Sequence, residues 1–206
     1  MATYPATPGV KDKMTPLTSE QAAKALSDGY LLVTKKRPSK AILALLIAQT
    51  ASETGNWKSI HHYNFGNVRG VAPDGMWTSF RAGEIDASGN QYFLEEDLSP
   101  TSQNRFKAFK NAADGAANYI KSLRDRPNWW NGLQTGTVPG FIKGLTTYPK
   151  YFTANPVTYE NLMANRVANY QALAKKYAAP IGIVAAVAAG LAAVAGFMTI
   201  RKVRQG

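Results

Sequence analysis

Apolar residues recur along most of this chain with a helical period, broken by one stretch of strand-like texture. Thr18 followed by Gln21 forms a capping-box pattern, which predicts a short helix through Ala22, Ala25 and Leu26 ending at Gly29. Pro38-Ser39 opens a second helix, in which Ile42, Leu45 and Leu46 share a face and the stripe continues through Gln49 and Glu53 to Gly55. From Val68 to Glu95, Gly, Pro and Asp punctuate short β-type stretches at 76–80 and 91–94, with a turn near Ser88-Gly89. A brief stretch over 106–109 leads into a helix from Ala112 to Leu123, stopped by Arg126-Pro127, with Trp129 and Trp130 in the turn that follows. A short helix over 141–145 comes next. Asn155-Pro156 then places a capping residue and a first-turn proline at the start of a last helix that runs to Tyr177. The pattern predicts a mostly α protein of the α+β class, a helical domain carrying one small β-lobe.

Past Tyr177 the period disappears. From Ala178 to Ile200 about 23 residues pass without a charge, and Arg201, Lys202 and Arg204 follow. Roughly 20 apolar residues at a rise of about 1.5 Å cross a hydrocarbon core, so this run predicts a single C-terminal transmembrane helix. Gly182, Ala186 and Gly190 recur at four-residue spacing, a face on which a second copy of the helix can approach closely and self-associate. Residues 1–16 are polar, lack the apolar run of an export signal and read as a flexible lead. The expected organisation is a lead over 1–16, a folded domain over 17–177, a membrane span over 178–200 and a basic tail over 201–206.

Composition narrows the chemistry. No cysteine is present among the 206 residues, which excludes disulfides, thiol nucleophiles and cysteine-held metals. The two histidines, His61 and His62, are adjacent, and no zinc-protease, phosphate-loop or dinucleotide fingerprint occurs, so neither metal nor cofactor is expected. Lys and Arg number 24 against 13 Asp and Glu, a net charge of +11 that points to an anionic partner or to a solvated surface. The cations are dispersed, with only short clusters such as Lys35-Lys36-Arg37, so nucleic acid is not an expected partner.

Carboxylates, amides and hydroxyls are left to do the work, and Glu53 is the informative one. It lies eleven, seven and four residues after Ile42, Leu46 and Gln49, on the face that the helix turns to the core. A carboxyl placed there is partly desolvated, which favours its neutral, proton-donating form; a capping or ion-pairing role at the helix end is the alternative. Gly55 leaves room for a ligand chain. Trp57, Tyr63 and Phe65 follow, and aromatic faces beside Asn donors such as Asn64 suit sugar rings. Trp77 on the β-lobe is a further stacking candidate, whereas Trp129-Trp130 fits packing beneath the domain. His61 and His62 read as solvated loop residues, and Glu95, Glu96 and Asp97 as a solvated charge run.

These residues carry a resemblance. Ala48-Gln49-Thr50-Ala51-Ser52-Glu53-Thr54-Gly55 resembles the A-Q-x-x-x-E-[ST]-G motif of peptidoglycan glucosaminidases of the flagellar-muramidase type, glycoside hydrolase family 73. Asn64 to Gly70 is similar to that family's N-x-F-G-[IV]-K-G segment, Phe106 to Phe109 to its F-R-x-Y strand, and Tyr151 to Pro156 with Tyr159 to its Y-A-T-D-P…Y stretch. The four motifs stand in order over about residues 38–175. Asn67 departs from an apolar position of the pattern and Asn155 from an aspartate.

The resemblance implies a lysozyme-like fold with Glu53 as general acid and a second carboxylate on the β-lobe, best matched by Glu84 with Asp86 in reserve. It also implies Tyr151 as a phenol near the cleaved bond and Asn64 as a turn residue or a partner for a substrate amide. With the stacking candidates, Gln49, Asn64, Phe65, Trp77 and Asn155 are the expected substrate-binding set. The expected activity is cleavage of peptidoglycan glycan strands, by hydrolysis or, with Glu53 alone, by lytic transglycosylation. A catalytically silent wall-binding or membrane scaffold is the alternative from another class. Joined to the span, the reading places a lytic domain on a lipid membrane: that of a bacteriophage particle, opening the wall at genome entry, or the bacterial inner membrane.

Overall fold

The computed structural model describes residues 9–85, 90–147 and 156–180. Helix α1 (Ser19–Thr34) begins at the Thr18–Gln21 capping box as expected, but it runs through Gly29 and ends at Lys35, whose φ of 64° forms the left-handed cap. Gly29 has a packing role. A Cβ there would stand 2.7 Å from the Ala117 backbone nitrogen, so its absence lets α3 (Ala112–Arg124) cross α1 closely.

Helix α2 (Lys40–Glu53) starts at Ser39, whose side chain accepts the Ile42 N–H. Every residue from Ile42 to Ala51 is buried, so the helix has no solvent face and forms the axis of the domain. Helices α1, α4 (Pro127–Gln134), α6 (Pro156–Asn169) and α7 (Gln171–Tyr177) pack around it, and α5 (Val138–Thr146) lies against α4 and α6. Trp129 and Trp130 stand on α4, not in a turn, because Pro127 occupies the first helical position and starts a new helix there. Trp129 is buried and Trp130 stacks on Tyr30 with ring centroids 5.8 Å apart. The last expected helix is two, broken at Tyr170.

The β-lobe holds two small antiparallel sheets. Strand β1 (Trp77–Thr78) pairs with β4 (Phe106–Lys107), and β2 (Ala82–Ile85) pairs with β3 (Gln91–Leu94) in the register Ala82↔Leu94, Glu84↔Tyr92. Residues 9–16, part of the expected flexible lead, are bonded to this lobe. Val10 N–H donates to Trp77 O at 2.8 Å, Thr78 Oγ1 donates to Val10 O at 3.0 Å and Thr15 N–H donates to Ile60 O at 2.8 Å.

No helix among the described residues is long and apolar enough to cross a membrane. The expected span lies outside the described residues from residue 181 onward. At its near end, Ala179 N–H donates to Pro38 O at 2.9 Å, which holds residues 178–180 beside the start of α2.

Gly115 tests the closest backbone approach in this arrangement. An alanine Cβ there would meet the Tyr63 carbonyl oxygen at 1.9 Å. In an open helix Gly→Ala gains about 1 kcal/mol; here overpacking reverses the sign, and Gly115→Ala should lose about 1–3 kcal/mol in urea denaturation.

Candidate active site

Glu53 is the last residue of α2 and the next residues turn sharply. Gly55, Asn56 and Trp57 adopt φ values of 56°, 57° and 59°, three successive left-handed positions. Two of the three carry side chains, which raises the conformational cost by about 1–2 kcal/mol each. Buried hydrogen bonds hold the turn. Thr54 Oγ1 donates to Thr50 O at 2.6 Å and accepts from Trp57 N–H at 3.1 Å, while Trp57 Nε1 donates to Thr50 Oγ1 at 3.2 Å. Trp57, read from sequence as a sugar platform, is 1 % exposed and anchors the turn in the core.

The Glu53 carboxyl is half-buried and receives the Tyr159 hydroxyl at 3.3 Å on Oε1. Burial pushes its pKa up from the ordinary value of 4.5, and the phenol's hydrogen bond offsets this only in part. The negative end of the α2 macrodipole acts in the same direction as burial. Tyr159 is itself held in its neutral form, by burial first and then by the Glu53 charge. Beneath them Gln49 is fully buried: its Oε1 accepts from Tyr119 OH, and its amide lies beside the Tyr159 phenol. Gln49 is therefore underneath the acid, with no surface for a sugar, because the stripe it shares with Glu53 faces the core.

Helix α6 closes this side. Arg166 Nη1 and Tyr170 OH both donate to Asn56 Oδ1, at 2.6 and 3.3 Å, and Tyr170 packs on Trp57. On the other side Asn67, with φ 46°, donates from Nδ2 to the Glu53 carbonyl at 3.2 Å. That backbone conformation suits Asn far better than the apolar residue the motif has there.

Two expected sugar contacts are buried, and a third, Asn64, fills one of its two expected roles. Phe65 is fully buried in the core. Trp77 is 1 % exposed, with Gly9 against its ring and the Arg105 guanidinium 4.7 Å from the ring centroid. Asn64 takes the turn role: it donates to Val68 O and Lys107 O, both at 3.0 Å, and accepts from Val68 N–H at 2.8 Å. His61 is paired with Asp12 at 2.8 Å and stacks on Phe80 at 4.0 Å instead of standing in solvent. The backbone of Glu84 lies in β2 opposite Tyr92. Tyr151, Asn155 and Asp86 lie outside the described residues. Tyr159 and Asn67, which hydrogen-bond to the Glu53 carboxyl and carbonyl, were not among the expected site residues; Tyr159 belonged to the motif, so the resemblance was the signal that held it.

No protein-family model matches the chain, and no curated protein is recognisably similar to it in sequence. Its structure is similar to the catalytic domain of the autolysin Auto from Listeria monocytogenes, with a TM-score of 0.54 and 18% identity over 80% of this chain and 90% of that one. It is also similar to a peptidoglycan hydrolase from Sphingomonas sp. A1, with a TM-score of 0.50 and 21% identity over 78% and 95% of the two chains. The protein thus has the fold of these two domains, mostly helical with a small β part, as the α+β reading expected.

A raised carboxyl pKa is a stability statement. The folded state binds the Glu53 proton more tightly than the unfolded state, so this contribution is complete below the ordinary carboxyl value and is lost as pH rises through the raised one. Glu53→Gln should therefore raise the melting temperature at pH 8 relative to wild type, and the advantage should shrink towards pH 4. Parallel melting curves at several pH values check this; an equal offset at every pH would mean that the carboxyl titrates normally.

Proposed function

We propose that the protein is a glycosidase that cuts the glycan strands of peptidoglycan with Glu53 as general acid. The observation that carries this is a half-buried carboxyl at the end of the axial helix, its pKa raised by burial and its Oε1 bonded by the Tyr159 phenol. The motif order and the fold shared with an autolysin and a peptidoglycan hydrolase support the substrate class. Glu53 passes its proton to the oxygen between two sugars, that oxygen leaves, and the ring carbon develops oxocarbenium-like charge. In the hydrolytic reading Glu84, on the β2–β3 hairpin, activates the water that attacks this carbon. In the transglycosylase reading a hydroxyl of the same sugar attacks and no second carboxylate is needed.

The uncharged run over 178–200 supports a membrane tether in this proposal, with the lytic domain held on a bilayer beside the wall. A phage particle's membrane is our reading of that bilayer.

On purified cell walls, Glu53→Gln should lose at least about 100-fold in turnover while remaining folded, since Gln keeps the shape but has no transferable proton. Wild-type lysis by this variant would remove Glu53 from the reaction. Glu84→Gln should abolish hydrolysis; full activity with anhydro-sugar products, read by mass spectrometry, would establish the transglycosylase route instead. Full-length protein should stay with lipid through a high-salt wash that strips charge-held proteins. Release by salt alone would refute the tether, and fractionating particles and cell membranes distinguishes the two locations.

A further inference from the structure

A groove of about 930 Å³ runs between the loop over 68–75, strand β4 and helix α3. Four cations line it, Arg69, Lys107, Lys121 and Arg126, against two acids, Asp74 and Asp125. Lys121 pairs with Asp125, and Asp74 pairs outward with Lys110 at 3.5 Å. Lys107 is half-buried and donates to the neutral Asn118 Oδ1 at 3.2 Å. Burial, and next the charges of Lys121 and Arg126, hold its pKa below the usual lysine range. The cations are thus close enough to repel one another, a cost that a bound anion relieves.

The rest of the wall is mostly apolar, from Val68, Val71, Ala72 and Pro73 with Asn118 and Ser122, and among the described residues no aromatic ring lines the groove. A nucleic-acid strand would want stacking platforms, and a uniformly charged phosphate chain would be repelled by the two acids. A short peptide with carboxylates in excess, one free amine and methyl side chains fits every part of it. The peptide stems of peptidoglycan have this make-up: alanines, dicarboxylic residues and a single amine.

The groove is joined to the Glu53 backbone through the loop that precedes it. Asn67 Nδ2 holds the Glu53 carbonyl at 3.2 Å, and the next residue, Val68, opens the groove. Asn64 fixes both Val68 and Lys107 through their backbone oxygens. We propose that this groove is a subsite for the acidic peptide stem of peptidoglycan, which selects the glycosidic bond to be cut by seating the stem that branches beside it. The inference rests on the glycan-cleaving function proposed above.

Binding separates the two. Full-length Glu53→Gln protein is titrated with a peptide-bearing glycan oligosaccharide and with the same oligosaccharide stripped of its peptides by an amidase. The peptide-bearing form should bind about tenfold tighter or better, from charge-assisted contacts. Lys121→Glu and, separately, Lys107→Met in that background should erase the preference, with folding checked by melting curves. Equal affinity for the two oligosaccharides, or a preference that survives both changes, overturns the subsite. So does tighter binding of a polyphosphate than of the free stem peptide, which would mark a general polyanion site. A stem preference in a wild-type protein that cuts no glycan leaves the subsite standing and defeats the glycosidase reading. Cleavage of stripped and peptide-bearing strands at equal kcat/KM does the reverse.

Discussion

The burial of α2 on all sides is the constraint from which the rest follows. A helix with no solvent face cannot end in solvent unless the chain turns away at once, and its last residue is a carboxylate. Ser39 satisfies the first turn, Thr50 and Thr54 bond back within the last turns, and the surrounding helices supply the walls. Glu53 therefore inherits a fixed direction and a poorly solvated setting from packing that would exist without it. Both properties suit the proposed proton donor, and the Tyr159 hydroxyl adds a hydrogen bond that α6 brings to the carboxyl.

The loop that follows shows how the domain tolerates strain there. Asn56, Trp57, His62, Tyr63 and Asn67 all have positive φ, a density expected where the backbone is held by its surroundings. Each position has a compensating anchor: Trp57 lies in the core, Asn56 accepts from α6, His62 N–H donates to Lys13 O at 3.0 Å, Tyr63 N–H donates to Thr15 Oγ1 at 2.8 Å and Asn67 reaches Glu53. Gly115 lets α3 press against the Tyr63 carbonyl, so the loop is clamped from below as well. The segment 9–16 belongs to the same clamp, because it supplies Thr15 and the Asp12 carboxylate that pairs with His61.

Local signals carried the helical part of this architecture. Caps at Thr18 and Ser39, and the spacing from Ile42 to Glu53, are properties of a few adjacent residues and can be read without knowing the fold, whereas Pro127 read as a stop and in fact starts α4. Side-chain destinations could not be read in that way. Phe65 and Trp77 have the composition of sugar platforms, and only the tertiary fold puts one in the core and covers the other with Gly9 and Arg105. Gly29 looked like a helix stop because a close crossing and a cap ask for the same missing Cβ. Tyr159 reaches Glu53 across 106 residues of sequence, a distance over which no periodicity speaks.

The same long-range logic bears on how binding could serve the chemistry. Binding energy gained far from the reacting bond accelerates a reaction only if the two places are rigidly connected, since slack would spend it on disorder. Here the connection is four residues of loop, Asn64 to Asn67, with both amides committed to backbone groups and the second one touching the acid's own carbonyl. A stem peptide seated among Lys107, Lys121 and Arg126 would move with that loop and hence with α2. Asn67 is then the residue through which the groove and the acid share one geometry, which gives a physical reason for a polar residue at a position where the resembling motif has an apolar one.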